Sequence, residues 1–173
     1  MQEGRGGILA YSDADWGNCR ETRCSVTGYL STFNGCLVLW KTRKQPCLPI
    51  STAEAEYRPL CDLISELLWR CPWTEECSLR TDTRPIPVCE DNQNCLNTAN
   101  GDCKRNGKRM KHLDIQLHFI NEVVQSSILR LIYTPTNPIL ADFLTKSVSR
   151  PVLARSLLAL GVLRLVVRGE FEN

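Results

Sequence analysis

No stretch of the 173 residues approaches the roughly 20 consecutive apolar positions that a membrane span needs. The opening "MQEGRGGILAYSD" has no cationic segment leading into an apolar one, so no signal peptide is expected. Net charge is also small: 21 Lys and Arg against 19 Asp and Glu leave a formal +2, so any footprint for nucleic acid must be local. Histidine is scarce, at two. Cysteine is abundant, at ten, yet no two stand in a C-x-x-C pair, which argues against a zinc finger or ribbon. Without a secretory signal, a disulfide framework is not expected either. The cysteines read as free thiols in an intracellular protein, several of them buried as small apolar groups. No internal repeat and no low-complexity linker divides the chain, and its length suits one domain.

What is present is strand and helix patterning. "ILAYSDADW" (8–16) starts apolar and then alternates. "VTGYLSTF" (26–33) and "CLVLWKTRK" (36–44) are β-rich and joined by Asn34-Gly35, a hairpin signal. A helix is expected over 52–70, with Ser51 and Glu54 as a capping box and an apolar stripe of Leu60, Leu63, Ile64, Leu67 and Leu68. The stretch 70–85, broken by Pro72 and Pro85, reads as connection. A short strand (86–91), a short helix (92–99), a basic loop (100–111), a helix (112–125), a strand (128–134) and helical patterns at 138–146 and 150–160 follow. The order βββ-α-β-α-α-β-α implies a mixed sheet covered by helices.

Several acids occupy positions where burial is expected. Asp13 and Asp15 lie two apart in the first strand, on one face, and alternation does not separate them. On a wheel of about 100° per residue, Glu56 stands within about 40° of the centre of the apolar stripe, and Glu54 about 120° from it. Glu54 is therefore the capping residue, and Glu56 points toward the sheet, where a carboxylate needs a cationic or basic partner. Asp91 ends a strand and would otherwise be an ordinary helix cap. Asp142, in "NPILADFLTK", would otherwise be a first-turn helix acid. If the four converge at one end of the sheet, their mutual repulsion calls for hard divalent cations, Mg²⁺ or Mn²⁺. Two such ions about 4 Å apart would suit phosphodiester hydrolysis.

The segments "YSDADW", "TRCSVTGYL", "LVLWKTRKQP", "STAEAEYRPL", "EDNQN", "KRMKHLDIQLHFI" and "LIYTPTNPILADFLTK", in this order, resemble the ribonuclease H domain at the C-terminus of copia-type LTR retrotransposon Pol polyproteins. The resemblance runs from about Ile8 to Leu160. It implies an α/β ribonuclease H-like fold, a five-stranded mixed sheet flanked by helices, over 8–160, with 161–173 as a tail. It implies endonucleolytic hydrolysis of the RNA strand of RNA–DNA hybrids during reverse transcription. By motif the catalytic and metal-binding acids would be Asp13, Glu56, Asp91 and Asp142. One ion would lie among Asp13, Glu56 and Asp91, and a second between Asp13 and Asp142. The implied partners are the RNA–DNA hybrid and the reverse transcriptase region of the same polyprotein, with no membrane. The implied location is a cytoplasmic retrotransposon particle or the nucleus. Lys104, Arg105, Lys108, Arg109 and Lys111, with His112, would contact the hybrid backbone. "KTRK" (41–44) is a weaker basic patch, Trp16 and Trp40 are expected in the core, and His118 is expected to pack.

The sequence also departs from the family pattern. Pro59 has no N–H for the Ala55 carbonyl one turn back, at a cost of about 3 kcal/mol inside a helix. Together with the cysteine excess and Pro72, it raises an alternative: a weak or inactive retrotransposon remnant that at most binds nucleic acid. A nuclease of the integrase-core class would share the fold but fits the order of the acids less well.

Overall fold

A computed structural model describes residues 7–17, 19, 21–46, 52–76, 85–99, 111–135 and 140–162. Three strands come first: β1 (Ile8–Asp15), β2 (Val26–Phe33) and β3 (Cys36–Lys44). Asn34 and Gly35 join the last two with φ of 52° and 82°, both in the left-handed region that a type I′ hairpin turn requires. Helix α1 (Thr52–Glu76) is followed by β4 (Ile86–Glu90), α2 (Gln93–Ala99), α3 (Lys111–Gln125), β5 (Leu129–Tyr133), α4 (Asp142–Thr145) and α5 (Arg150–Ala159).

The five strands form one sheet in the order β3-β2-β1-β4-β5. The β1–β2 and β2–β3 pairs are antiparallel, whereas β4 runs parallel to both β1 and β5. This is the mixed sheet expected from three hairpin-linked strands followed by crossovers. Because β1 is central, Asp13 is not an edge-strand acid exposed to solvent.

Successive residues of β2 show how the two faces of the sheet are used. Tyr29 points toward α1, lining a cleft with Asp62, Ser65, Glu66 and Trp69. Gly28 faces the other way, toward Ala141, Leu144 and Thr145 at α4. On the α1 face, Leu60, Leu63, Ile64 and Leu67 are buried against Ala10, Tyr29, Val88, Ile120 and Leu129, so the stripe read from the sequence forms the core. Cys89 and Cys95 are buried, and they are free thiols, as are Cys19, Cys24, Cys36 and Cys61.

Three expectations need correction. Helix α1 does not stop near residue 70; it continues through Pro72 to Glu76. A proline removes one hydrogen bond to the preceding turn, which bends a helix without having to end it. Trp16 and Trp40 are 49% and 62% exposed instead of in the core. Trp40 pairs with Leu30 on the face that α4 covers only near Gly28 and Thr42, so the short helix leaves the tryptophan in solvent. His118 is likewise exposed on α3. No helix among the described residues is long and apolar enough to cross a membrane.

Candidate metal centre

Strand β1 delivers Asp13 near its carboxyl end, and β4, parallel beside it, ends at Glu90 with Asp91 immediately after. Carboxyl ends of adjacent parallel strands form the crevice where α/β sheets place their ligands. The first turns of α1 bring Glu56 to the same place. Asp13, Glu56 and Asp91 each offer an oxygen, and these atoms lie within 4.8 Å of one another. Asp13 and Glu56 are only 1% and 7% exposed. Glu54 is half-buried and pairs with Arg58 at 3.8 Å, apart from the acid cluster. The cap of α2 is Asn92, whose Oδ1 accepts the Cys95 N–H at 3.1 Å; Asp91 therefore does not serve as the simple helix cap.

Asp142 approaches Asp13 from the other side, on α4. Lys146 Nζ lies 2.5 Å from Asp142 Oδ1 and 3.9 Å from Asp13 Oδ2, so its ammonium stands between the two acids. The Thr145 hydroxyl donates to Asp13 Oδ2. The α4 helix can lie this close because Gly28, directly opposite Asp13 in the β1–β2 register, carries no side chain. The sequence reading had not marked Thr145, Lys146 or Gly28. The i,i+4 spacing of Asp142 and Lys146 was the available signal.

A fifth acid was also missed. Glu90 is fully buried; it accepts a hydrogen bond from Ser12 Oγ at 2.5 Å and one from the Asn92 N–H at 3.3 Å. It adjoins Asp91 in "EDN", and an acid closing a buried strand could have drawn attention. Burial raises the Glu90 carboxyl well above its ordinary range, and burial together with the charge of Glu90 does the same to Glu56. Asp13 is pushed up to about 6 by burial, against the pull of the Thr145 hydroxyl and Lys146.

These shifts set a dependence on pH. A carboxyl whose folded value is raised favours folding below its unfolded value and loses that contribution as pH rises through the folded one. For Asp13 the window runs from 3.8 to about 6. In chelator, Asp13→Asn should therefore gain stability relative to the wild type as pH rises from 4.5 to 7, on the order of 2 kcal/mol, because that range spans about one and a half units of the window. Urea unfolding at several pH values measures it; a difference that does not change with pH would contradict the burial of a strained acid.

The donor set fits a hard cation. It is all oxygen, and Glu56 Oε2 is buried with no hydrogen-bond partner among the described residues. A buried carboxylate oxygen left in that state is costly unless a cation or a proton meets it. The basic residues chosen for hybrid contact cannot be placed: Lys104, Arg105, Lys108 and Arg109 lie outside the described residues, and Lys111 and His112 open α3 with side chains outside them. The weaker patch is partly neutralised, because Arg43 pairs with Asp62 at 3.0 Å and Lys41 with Glu66 at 3.9 Å.

Known proteins share this architecture and sequence. The retrovirus-related Pol polyprotein from transposon RE1 of Arabidopsis thaliana is 35% identical over 158 residues, 91% of this chain and 11% of that protein. The corresponding polyprotein from transposon TNT 1-94 of Nicotiana tabacum is 34% identical over 143 residues, 83% of this chain and 10% of that protein. The chain thus spans about a tenth of the length of these Pol polyproteins. Among solved structures, LC11 ribonuclease H1 in complex with an RNA/DNA hybrid superposes with a TM-score of 0.60 at 15% identity, over 84% of this chain and 99% of that one. The ribonuclease H1 of Halobacterium salinarum gives 0.52 at 16% identity, over 81% and 95%. No protein-family model matches.

Proposed function

We propose that this chain, a homologue of part of the retrovirus-related Pol polyproteins of transposons with a ribonuclease H fold, hydrolyses the RNA strand of RNA–DNA hybrids at the cluster of Asp13, Glu56, Asp91 and Asp142. The observation that carries the reading is the convergence of Asp13, Glu56 and Asp91 from three separated segments, with an unpartnered Glu56 oxygen inside the cluster. Surface acids seldom arrange themselves so, because burial and repulsion both oppose it.

Asp13, Glu56 and Asp91 would hold one Mg²⁺ or Mn²⁺ ion, and Asp13 with Asp142 a second. Bound there, the ions would supply an activated water and stabilise charge on the leaving oxygen of a phosphodiester. The protein's part is to keep the carboxylates in place. Thr145 fixes one oxygen of Asp13, and Lys146 holds the carboxylate of Asp142 and offsets the negative charge between the two acids. Ser12 and the Asn92 N–H anchor Glu90 behind the cluster, so this acid braces the site from within the sheet.

In this reading the unit extends over 8–160, with 161–173 as a tail. Its partners are the hybrid and the reverse transcriptase region of a polyprotein, in a cytoplasmic particle or the nucleus. The alternative of an inert remnant drew on Pro59, but α1 continues through that residue. A hybrid labelled on either strand, incubated with the protein and Mg²⁺ or Mn²⁺, tests the reaction class. Cation-dependent cutting of the RNA strand alone is expected. Cutting of the DNA strand would favour an integrase-like nuclease, and no cutting of either strand would favour the remnant.

A further inference from the structure

Pro59 leaves the Ala55 carbonyl without the helical N–H that would normally reach it, and Ala55 is fully buried, so water cannot take that place. Another donor does. Gln45, just after β3 and 2% exposed, points its amide Nε2 at the Ala55 carbonyl at 2.9 Å and at Thr27 Oγ1 on β2 at 3.0 Å. Its backbone N–H is tied to the Ser25 carbonyl at 2.8 Å, so the residue is held at both ends. The amide oxygen, by contrast, is buried with no partner among the described residues. Turning the amide over would set its oxygen against the Ala55 carbonyl oxygen. The arrangement therefore uses both N–H groups and tolerates an unpaired oxygen.

Ala55 immediately precedes Glu56. We propose that Gln45 is a positioning residue for the metal centre: its side-chain amide replaces the N–H that Pro59 cannot give, and fixes the turn of α1 that presents Glu56 to Asp13 and Asp91. The inference rests on reading Glu56 as a metal ligand. It makes Gln45 and Pro59 a coupled pair, because Gln45 matters most where residue 59 has no N–H. With alanine at 59 the helix supplies its own donor, and the carbonyl no longer depends on the glutamine.

The test is a double-mutant cycle on the full chain with Gln45→Met, which keeps the volume and removes both donors, and Pro59→Ala. Mn²⁺ binding is measured by titration calorimetry well below the melting temperature, with circular dichroism recording the fold and the melting temperature of each protein. Groups behind a ligand typically carry about tenfold or more in metal affinity. Gln45→Met should therefore weaken Mn²⁺ binding by about tenfold or more, and the double variant should return to within about threefold of the wild type. Equal binding by Gln45→Met and the wild type would overturn the proposal. So would a double variant as weak as Gln45→Met, since Gln45 would then act through general packing. If Gln45→Met fails to fold but the double variant folds, the coupling is upheld; if both fail, it is overturned. Should the wild type bind no Mn²⁺, the metal reading fails, and the melting temperatures still report whether Gln45 and Pro59 are coupled.

Discussion

Replacing Gly28 by alanine is expected to destabilise the protein by about 1–3 kcal/mol and to disable the site. Alanine ordinarily improves a strand position, both by propensity and by restricting the unfolded chain. Here the sign reverses. A Cβ at residue 28 would lie 2.5 Å from Thr145 Cγ2, 3.0 Å from Leu144 Cβ and 3.3 Å from the Ala141 carbonyl oxygen. The neighbours are the body of α4 and its backbone, so the helix must lift off the sheet. Lifting α4 withdraws Thr145 from Asp13 and carries Asp142 and Lys146 away with it. Thermal melting and hybrid cleavage together check the outcome. A variant as stable and as active as the wild type would mean that α4 does not bear on the sheet at Gly28.

Glu56→Gln is expected to act in opposite directions on stability and on metal binding. In chelator near pH 8, the wild type keeps Glu56 beside Glu90, Asp13 and Asp91, with burial and these charges all raising its carboxyl. Removing the ionisable group relieves that penalty, and the amide can donate to the carboxylates around it. A gain of about 1–3 kcal/mol follows, raising the melting temperature by roughly 2–4 °C for each kcal/mol at this chain length. Mn²⁺ affinity should fall by at least about tenfold, because a charged carboxylate in the cluster becomes a neutral amide with a single oxygen. A site built for function and not for stability behaves in this way. Loss of stability in chelator would show instead that Glu56 holds the fold together through a contact of its own.

Much of the fold could be read in advance because its elements carry local signals. Alternation marked β1, and Asn34-Gly35 between two β-rich runs marked the hairpin. The leucine stripe of α1 marked the core and, with it, the inward side of Glu56. The end of α1 was not legible, since Pro72 looks the same whether a helix bends or stops. Trp40 was misread because an edge strand's pattern does not say how much of each face its neighbours cover.

Within the site, the acids stood out because charge in an apolar context is conspicuous. Their supports did not. Thr145, Lys146 and Gly28 acquire their meaning only when α4 is laid across β1 and β2, a long-range packing that no local pattern records. Gln45 is similar: the cost of Pro59 could be foreseen, but the donor that meets it lies on another element.

The most direct test of the account is single-turnover cleavage of an RNA-labelled RNA–DNA hybrid in Mg²⁺ by the wild type and Asp13→Asn, purified side by side. Asp13 lies between both groups of acids, so its loss should lower the rate by at least about a thousandfold, roughly 4 kcal/mol of transition-state stabilisation. Robust cleavage by the wild type and none by the variant is the predicted result. Equal cleavage by both would contradict it.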